Sequence, residues 1–163
     1  MSETVVIRLA KENMKFSAGH FTIFSAGERE RLHGHNFRVE ADIEARMLGN
    51  GMCFDYGIYK ARLVALCREL NEWTLLPTRS PHLRIEEDDE HVYAHFGGQR
   101  IPFLRGDVKL LPIENATLEE FARWFLDRLM EEAGELRAHG IASIEVRVSS
   151  GPGQSAGRRR AVA

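Results

Sequence analysis

The sequence has little cysteine, no long apolar run and no large excess of one charge, and each shortage excludes a class of protein. Two cysteines in 163 residues, Cys53 and Cys67, are too few for a disulfide framework. No apolar stretch approaches the roughly 18 residues of a membrane-spanning helix, and the first residues lack the pattern of a secretory signal. Lys and Arg number 22 against 24 Asp and Glu, a net charge of −2 that does not indicate nucleic-acid binding. We therefore expect a cytoplasmic protein without membrane or nucleic-acid partners.

Length and composition are those of one globular domain. The chain is 44% hydrophobic and 28% charged, which is ordinary for a folded protein of this size. No internal repeat or low-complexity linker divides it. We therefore expect a single domain over residues 1–163.

The first half of the chain predicts two strands and a helix. Apolar residues alternate with polar ones in residues 3–16 and again in 36–47, a pattern typical of half-buried antiparallel strands. A helix of about 15 residues is expected after Asp55, a candidate N-cap. Its apolar face is formed by Tyr59, Leu63, Leu66 and Leu70.

The second half predicts an insertion, a second helix and further strands. Three short β segments, 83–87, 91–96 and 99–103, form an accessory hairpin or meander within an insertion of about 77–112. Its turns are expected at Asp88-Asp89 and Gly97-Gly98.

The second helix is expected over residues 117–138. Thr117 and Glu120 form a capping box at its start, and Gly140 is a stop signal after its end. Residues 144–148 alternate as a strand, and 155–163 are a candidate final strand. The resulting order, ββ-α-(insertion)-α-ββ, indicates the α+β class.

Three histidines carry the clearest chemical signal. His33 and His35 flank one glycine, and residues i and i+2 of a strand point to the same face. His20 lies thirteen residues before His33, about the span of one hairpin. Three neutral imidazoles with an open fourth position are typical of a catalytic zinc site, where the metal polarises a carbonyl or hydroxyl oxygen. The alternative is a solvated histidine pair without a metal.

The segments around these histidines resemble a known family. Four blocks occur in the family's order: residues 16–20 (FSAGH), 32–37 (LHGHNF), 51–56 (GMCFDY) and 114–119 (ENATLE). Together they resemble the 6-pyruvoyl-tetrahydropterin synthase family, which includes the 6-carboxy-tetrahydropterin synthases of deazapurine biosynthesis. The resemblance implies Zn²⁺ on His20, His33 and His35.

The resemblance also implies a fold, an assembly and a reaction. The fold is the tunnelling fold (T-fold), an antiparallel sheet with two helices on one face. Three subunits close into a barrel and two trimers stack into a homohexamer, with active sites at subunit interfaces. The reaction is zinc-assisted proton abstraction on a pterin with a hydroxylated side chain, followed by elimination or side-chain cleavage.

The proton-transfer residues depart from the family pattern. Arg29 occupies the position of the family's cysteine base, and arginine stays protonated. Glu28 and Glu30 flank it. Some family branches, associated with side-chain cleavage, carry a glutamate five residues before the His-Gly-His, and Glu28 matches that spacing. We therefore predict Glu28 as the general base in preference to Glu30; the alternative is a solvated charged loop.

Two further family positions are also changed. Asn71 and Glu72 stand where the family has an Asp-His pair, which makes Glu72 a second candidate for proton transfer, whereas Asn71 cannot ionise. The glutamate that anchors the pterin is replaced by Val148 or Ser149. The remaining candidates for substrate binding are Thr117, Glu119 and Ser149.

These departures leave three hypotheses. The first is a zinc-dependent lyase acting on dihydroneopterin triphosphate or a related pterin. The second is a family member repurposed for a polyol or keto compound that is not a pterin. The third is a non-catalytic, zinc-containing oligomeric protein that binds a small molecule.

Overall fold

One long hairpin begins the fold in the computed structural model, which describes residues 3–163. Strands β1 (Thr4–Leu9) and β2 (Lys15–His20) both pair antiparallel with β3 (His33–Arg46) and lie end to end along one side of it. The register sets His20 opposite His33. The hairpin expected from the spacing of these two histidines is confirmed.

The main sheet has seven strands and is mixed. The other elements, in chain order, are α1 (Gly57–Leu70), β4 (Trp73–Pro77), β5 (Arg84–Glu87), β6 (His91–Phe96), β7 (Gln99–Leu104), β8 (Val108–Leu111), α2 (Leu118–Leu129), α3 (Ala133–Ala138), β9 (Ile141–Ser149) and β10 (Ser155–Ala161). The strand order is β10-β9-β3-β2-β4-β8, with β1 beside β3. Strands β4 and β8 run parallel to their neighbours, whereas all other pairs of this sheet are antiparallel. The expected antiparallel sheet is therefore correct except at that edge.

The core lies between this sheet and the helices α1 and α2. The apolar face of β3 is fully buried, as its alternation predicted, and the apolar residues of α1 are buried with it. These side chains belong to the larger of the two buried apolar clusters among residues 3–163, and burial of that cluster supplies most of the hydrophobic stabilisation. Among residues 3–163, no helix is long and apolar enough to cross a membrane.

The starts of the helices differ in detail from expectation. The N-cap of α1 is Tyr56 rather than Asp55; the Asp55 carboxylate instead accepts a hydrogen bond of 2.9 Å from the Gly57 N–H. Thr117 caps α2 as predicted and accepts from the Glu120 N–H at 3.4 Å. The reciprocal half of the capping box is not formed, because the Glu120 carboxylate bonds the Glu114 N–H and Arg123.

The predicted helix over 117–138 is two helices, not one. The Met130 N–H bonds the carbonyls of both Leu126 and Asp127, which tightens the last turn of α2. Glu132 then leaves the helical region, with φ −95° and ψ 54°. Gly140 follows α3 with φ +66°, the left-handed stop that was expected.

The accessory meander is confirmed, but the predicted insertion includes a strand of the main sheet. Strands β5, β6 and β7 form an antiparallel sheet whose Gly97-Gly98 turn has positive φ at both residues. Strand β8 lies within 77–112 yet returns to pair with β4. Beneath the meander is a second, smaller cluster, called here the accessory cluster: Phe21, Ile23, Leu76, Leu83, Val92, Ala94, Phe96 and Val108.

Candidate metal centre

Three imidazoles converge at the ends of β2 and β3. The hairpin register brings His20 to His33, and the strand period of two puts His35 on the same face. One ring nitrogen from each histidine lies within 4.8 Å of the other two. The prediction that these residues form one group is in agreement with this geometry.

Main-chain carbonyls fix the orientation of two of these rings. His20 Nδ1 lies 2.7 Å from the Ala116 oxygen, and His33 Nδ1 lies 2.7 Å from the Arg31 oxygen. Because a carbonyl only accepts hydrogen bonds, each Nδ1 carries the proton and each Nε2 keeps its lone pair. This is the arrangement in which metal-ligating histidines are held by groups around the site.

The free nitrogens suit a metal such as zinc. His20 Nε2 is the one buried side-chain polar atom among residues 3–163 that has no hydrogen-bond partner, and such atoms are rare because they cost free energy. The Nε2 atoms of His33 and His35 are 3.1 Å apart. Nitrogens bound tetrahedrally to one Zn²⁺ would be about 3.3 Å apart. The residues therefore fit a three-histidine metal site.

The environment keeps His20 neutral, as metal binding requires. Burial lowers the pKa of His20, and the neighbouring His33 and His35 lower it further, although the hydrogen bond to Ala116 acts in the opposite direction. The ring is only 6% exposed and contacts the aromatic core, with its centroid 5.3 Å from that of Phe37. A rigid apolar environment of this kind holds the His20 ring in place.

A cavity of about 260 Å³ opens beside the histidines. Besides the three rings it is lined by Thr22, Glu30, Phe37, Thr117, Leu118, Glu119, Ser150 and Gln154. Two predicted substrate-binding residues, Thr117 and Glu119, are thus in the same cavity as the imidazoles. A larger groove of about 770 Å³ lies between α1 and residues 11–15, but none of the histidines lines it.

Glu30, rather than Glu28, is the acid nearest the histidines. A Glu30 carboxylate oxygen lies 4.0 Å from His33 Nε2 and accepts a hydrogen bond of 2.9 Å from the Thr22 N–H. Partial burial raises the pKa of Glu30, but the Thr22 hydrogen bonds and the neighbouring histidines outweigh this, so that the pKa is lowered overall. Glu28 is exposed at the end of a tight turn, where its main-chain oxygen accepts from Phe24.

The other predicted site residues lie outside this cavity. Glu72 is exposed, with an unusual φ of +65°, and its N–H bonds the Ser17 carbonyl. Ser149 lines a separate depression next to Glu40 and Arg147. The next residue, Ser150, lines the cavity instead, and its hydroxyl accepts a 2.7 Å hydrogen bond from Gln154.

Five residues that line the cavity were not predicted as site residues: Thr22, Phe37, Leu118, Ser150 and Gln154. Thr22 and Glu30 face each other across a small antiparallel bridge between Ile23 and Arg29, and Glu30 N–H bonds Thr22 O at 2.8 Å. Pairing within so short a loop gives no periodic signal in the sequence. Gln154 reaches the cavity because β10 turns back along β9, a position that local sequence does not encode.

Comparison with known proteins places the chain among pterin-related synthases. The family described as 6-pyruvoyl tetrahydropterin synthase matches residues 9–161. Two curated relatives bear the name "Putative 6-carboxy-5,6,7,8-tetrahydropterin synthase". The protein from Methanocaldococcus jannaschii is 28% identical over 148 residues, 90% of each chain. That from Pyrococcus abyssi is 30% identical over 139 residues, 85% of this chain and 81% of its own.

Solved structures agree with this placement. The crystal structure of 6-pyruvoyl tetrahydropterin synthase from Plasmodium vivax superposes with a TM-score of 0.92 at 27% identity, covering 98% of this chain and 99% of that one. Further structures of the Plasmodium vivax protein carry alanine or cysteine in place of a glutamate that is described as a catalytic residue.

Proposed function

The chain belongs to the 6-pyruvoyl tetrahydropterin synthase family, and on that premise we propose that it is a zinc-dependent lyase acting on dihydroneopterin triphosphate or a related pterin. One observation carries the proposal. Three histidine nitrogens, one of them buried without a partner, meet beside a cavity that also contains two carboxylates. Family membership supplies the pterin class, and the cavity supplies the groups for proton transfer.

His20, His33 and His35 would hold the zinc ion through their Nε2 atoms. When bound, zinc supplies a Lewis acid that lowers the pKa of a substrate hydroxyl and polarises a carbonyl oxygen. Ala116 and Arg31 keep the His20 and His33 rings in the tautomer that ligation needs. The apolar contacts of His20 with Phe37 exclude water from that side of the site.

Glu30 is our candidate for the general base, in preference to Glu28. Its carboxylate is 4.0 Å from His33 Nε2, so a substrate bound at the histidines lies within reach. Arg29 cannot accept a proton. The glutamate described as catalytic in the Plasmodium vivax enzyme is further support for a carboxylate in this role. Glu30 would take a proton from the substrate side chain before a C–O or C–C bond breaks.

Thr117 and Glu119 would bind the ring of the substrate from the start of α2. The cavity lacks a glutamate from β9, since Ser149 points elsewhere and the neutral Ser150 and Gln154 line that end. This loss favours a second candidate function, conversion of a polyol or keto compound that has no guanidine-like ring edge. The non-catalytic alternative is weakened by the open cavity beside the ligand nitrogens, which a purely structural zinc site would not need.

We propose assembly into a homohexamer, a dimer of trimers. Strands β8 and β10 are the edges of the main sheet and have unpaired backbone groups, which subunit association would cover. Exposed apolar side chains support further contacts, among them Val6, Phe24 and Leu32. Glu72, exposed here, would then be available to a neighbouring subunit's site. Light scattering on purified protein would test the mass; a monomer would contradict this assembly.

A reducing compartment such as the cytoplasm is proposed for the protein. Cys53 and Cys67 are both free and buried. Burial raises the pKa of the Cys67 thiol to about 12, so it stays protonated and unreactive.

The decisive experiment compares two neighbouring glutamates in zinc-loaded protein. Glu30→Gln should lower turnover of dihydroneopterin triphosphate by about 10²–10⁴-fold, because a general base contributes that much, while zinc content is unchanged. Glu28→Gln, two residues away in the same loop and exposed, is the matched control and should retain activity. The opposite result would restore Glu28 as the base. Wild-type protein that holds zinc but converts no pterin would favour the polyol or keto substrate class.

A further inference from the structure

Arg29 connects the metal pocket to the accessory sheet. Its guanidinium carbon lies 5.0 Å from the ring centroid of Phe21 and 5.6 Å from that of Phe96, both members of the accessory cluster. Guanidinium groups are attracted to aromatic faces at such distances. One Arg29 nitrogen donates a 2.9 Å hydrogen bond to the Glu30 main-chain oxygen. The side chain is thus held by two rings and in turn holds the next peptide group.

The peptide group between Glu30 and Arg31 connects the Glu30 side chain to the carbonyl that orients His33. The Glu30 carboxylate accepts from the Thr22 N–H and lies near His33, while the following carbonyl, of Arg31, accepts from His33 Nδ1. Rotation of the peptide between Glu30 and Arg31 would therefore move both the acid and the support of the imidazole. Arg29 contacts that peptide directly.

The accessory sheet approaches the same loop at a second point. A methyl group placed on Gly97, at the tip of the β6–β7 turn, would lie 3.8 Å from the Ala26 carbonyl oxygen. The sheet therefore packs against loop 21–32 on both the Phe96 and the Gly97 side. The residues that line the metal cavity come from the hairpin, this loop, the start of α2 and residues 150 and 154.

We propose that Arg29 is a positioning residue. Clamped between Phe21 and Phe96, it fixes the Glu30 carboxylate beside His33, so that the accessory sheet controls a site that it does not line. The effect on catalytic rate rests on the proposed function, whereas the effect on Glu30 placement does not. Where the family has a proton-transferring cysteine, this chain has Arg29, which acts by positioning the neighbouring Glu30.

Hydrogen exchange of the Thr22 amide tests placement without any activity. Because the Glu30 carboxylate accepts from this N–H, Arg29→Met should speed its exchange by about 10-fold, with the Ile43 amide in the main core as internal reference. Arg29→Lys, which keeps the charge over the rings, should restore most of the protection. Unchanged Thr22 exchange in Arg29→Met would overturn the proposal, as would equal acceleration at Ile43.

Steady-state kinetics test the consequence. Arg29→Met should lower kcat about 10-fold with KM within about twofold, the pattern expected when a supporting residue is lost. In a Glu30→Gln background the same change should have no further effect, because Arg29 acts through Glu30. Multiplicative losses would overturn the proposal. If no pterin is converted at all, faster Thr22 exchange still supports the positioning role and the proposed function alone fails.

Phe96 provides a remote test with a matched control. Phe96→Leu removes one aromatic face from Arg29 and should accelerate Thr22 exchange about threefold. Phe103→Leu alters a partly buried residue of β7 that packs against the accessory cluster and should leave that amide unaffected. Equal effects of both substitutions would assign the change to general loosening of the meander and overturn the specific contact.

Discussion

The two sides of the cavity beside the three histidines are built in different ways. The histidine side is formed by two paired strands, with ring orientations fixed by main-chain carbonyls of Ala116 and Arg31. The acid side is a loop, residues 21–32, whose Glu30 depends on one backbone bridge and on Arg29 packed against the accessory cluster. The positions of the three histidines thus follow from strand register, whereas the position of Glu30 follows from packing between distant segments. Strand pairing therefore sets where the three histidines lie, although the loop supplies the Arg31 carbonyl that orients His33, whereas the position of Glu30 depends on the loop throughout.

The largest effect is expected from removing a ligand on the histidine side. His33→Ala leaves two imidazoles and should weaken Zn²⁺ binding by at least about 100-fold, more than loss of a supporting hydrogen bond would. Metal content after dialysis and calorimetric titration measure this. His82→Ala, an exposed histidine outside the cavity, is the control. Full zinc retention in His33→Ala would mean that the acid side can replace a ligand, which would break the distinction between the two sides.

The histidine side was predictable because its signals are local. Strand alternation put His33 and His35 on one face, and a thirteen-residue separation indicated a hairpin that brings His20 opposite His33. Neither inference needs knowledge of distant residues. The supporting carbonyl of Ala116 could not be foreseen, since it is 96 residues from His20 in sequence.

For the acid side, the sequence predicted that a glutamate would lie near the histidines, but it favoured a different glutamate from the one nearest to them in the structure. A glutamate beside Arg29 was expected, yet spacing favoured Glu28 while the bridge between Ile23 and Arg29 turns Glu30 toward His33. In a loop without periodicity, one hydrogen-bonded pair decides which side chain faces the three histidines. Gln154 was missed for a similar reason, because it reaches the cavity through the β9–β10 turn.

A smaller effect is expected where α2 supports the histidine side. Glu120 bonds the Glu114 N–H at 2.8 Å and pairs with Arg123, which steadies the segment that ends at Ala116. Glu120→Gln should cost about 1–2 kcal/mol of unfolding free energy at pH 7, as expected for a charged hydrogen bond. Urea denaturation measures this, with Glu131→Gln, on a 62% exposed side chain, as control.

The same variant has a definite pH dependence. Burial raises the pKa of Glu120, but Arg123 and the Glu114 N–H outweigh it, so the folded-state pKa lies below the ordinary 4.5. A carboxyl with a lowered pKa stabilises the fold above its unfolded pKa and loses that contribution as pH falls through the folded value. The difference between wild type and Glu120→Gln should therefore shrink below about pH 4. A constant difference down to pH 3 would show that packing, not charge, connects α2 to the histidines.

The smallest effect is expected at the tip of the accessory sheet. Gly98 has φ +77° and open space around its α-carbon, so Gly98→Ala tests backbone strain alone. It should cost about 1 kcal/mol in thermal or urea unfolding. Gly106→Ala, also in open space but without positive φ, should be neutral. A marked fall in turnover with Gly98→Ala, beyond its effect on stability, would sharpen the view that this sheet serves the acid side.

The elements that sequence analysis missed are short or interrupted. Strands β4 and β8 are five- and four-residue segments, respectively, at the ends of the predicted insertion, too short for periodicity to separate strand from loop. The interruption after Leu129 falls within a continuous helical pattern, and only the backbone at Met130 and Glu132 reveals it. Local propensity does not determine such breaks, because tertiary packing overrides it.

The parallel pairing of β4 with β8 limits how this protein can be shortened. Parallel neighbours cannot be joined by a tight turn and need a connection of about a dozen residues or more, here supplied by residues 78–107 folded as a meander. A minimal version of the chain would therefore have to replace the meander with another crossover rather than delete it. Such a replacement would keep the β4–β8 edge of the sheet but remove the contact of Arg29 with Phe96. Crossovers of different design at this position therefore offer a way to shift Glu30 while His20, His33 and His35 stay unchanged.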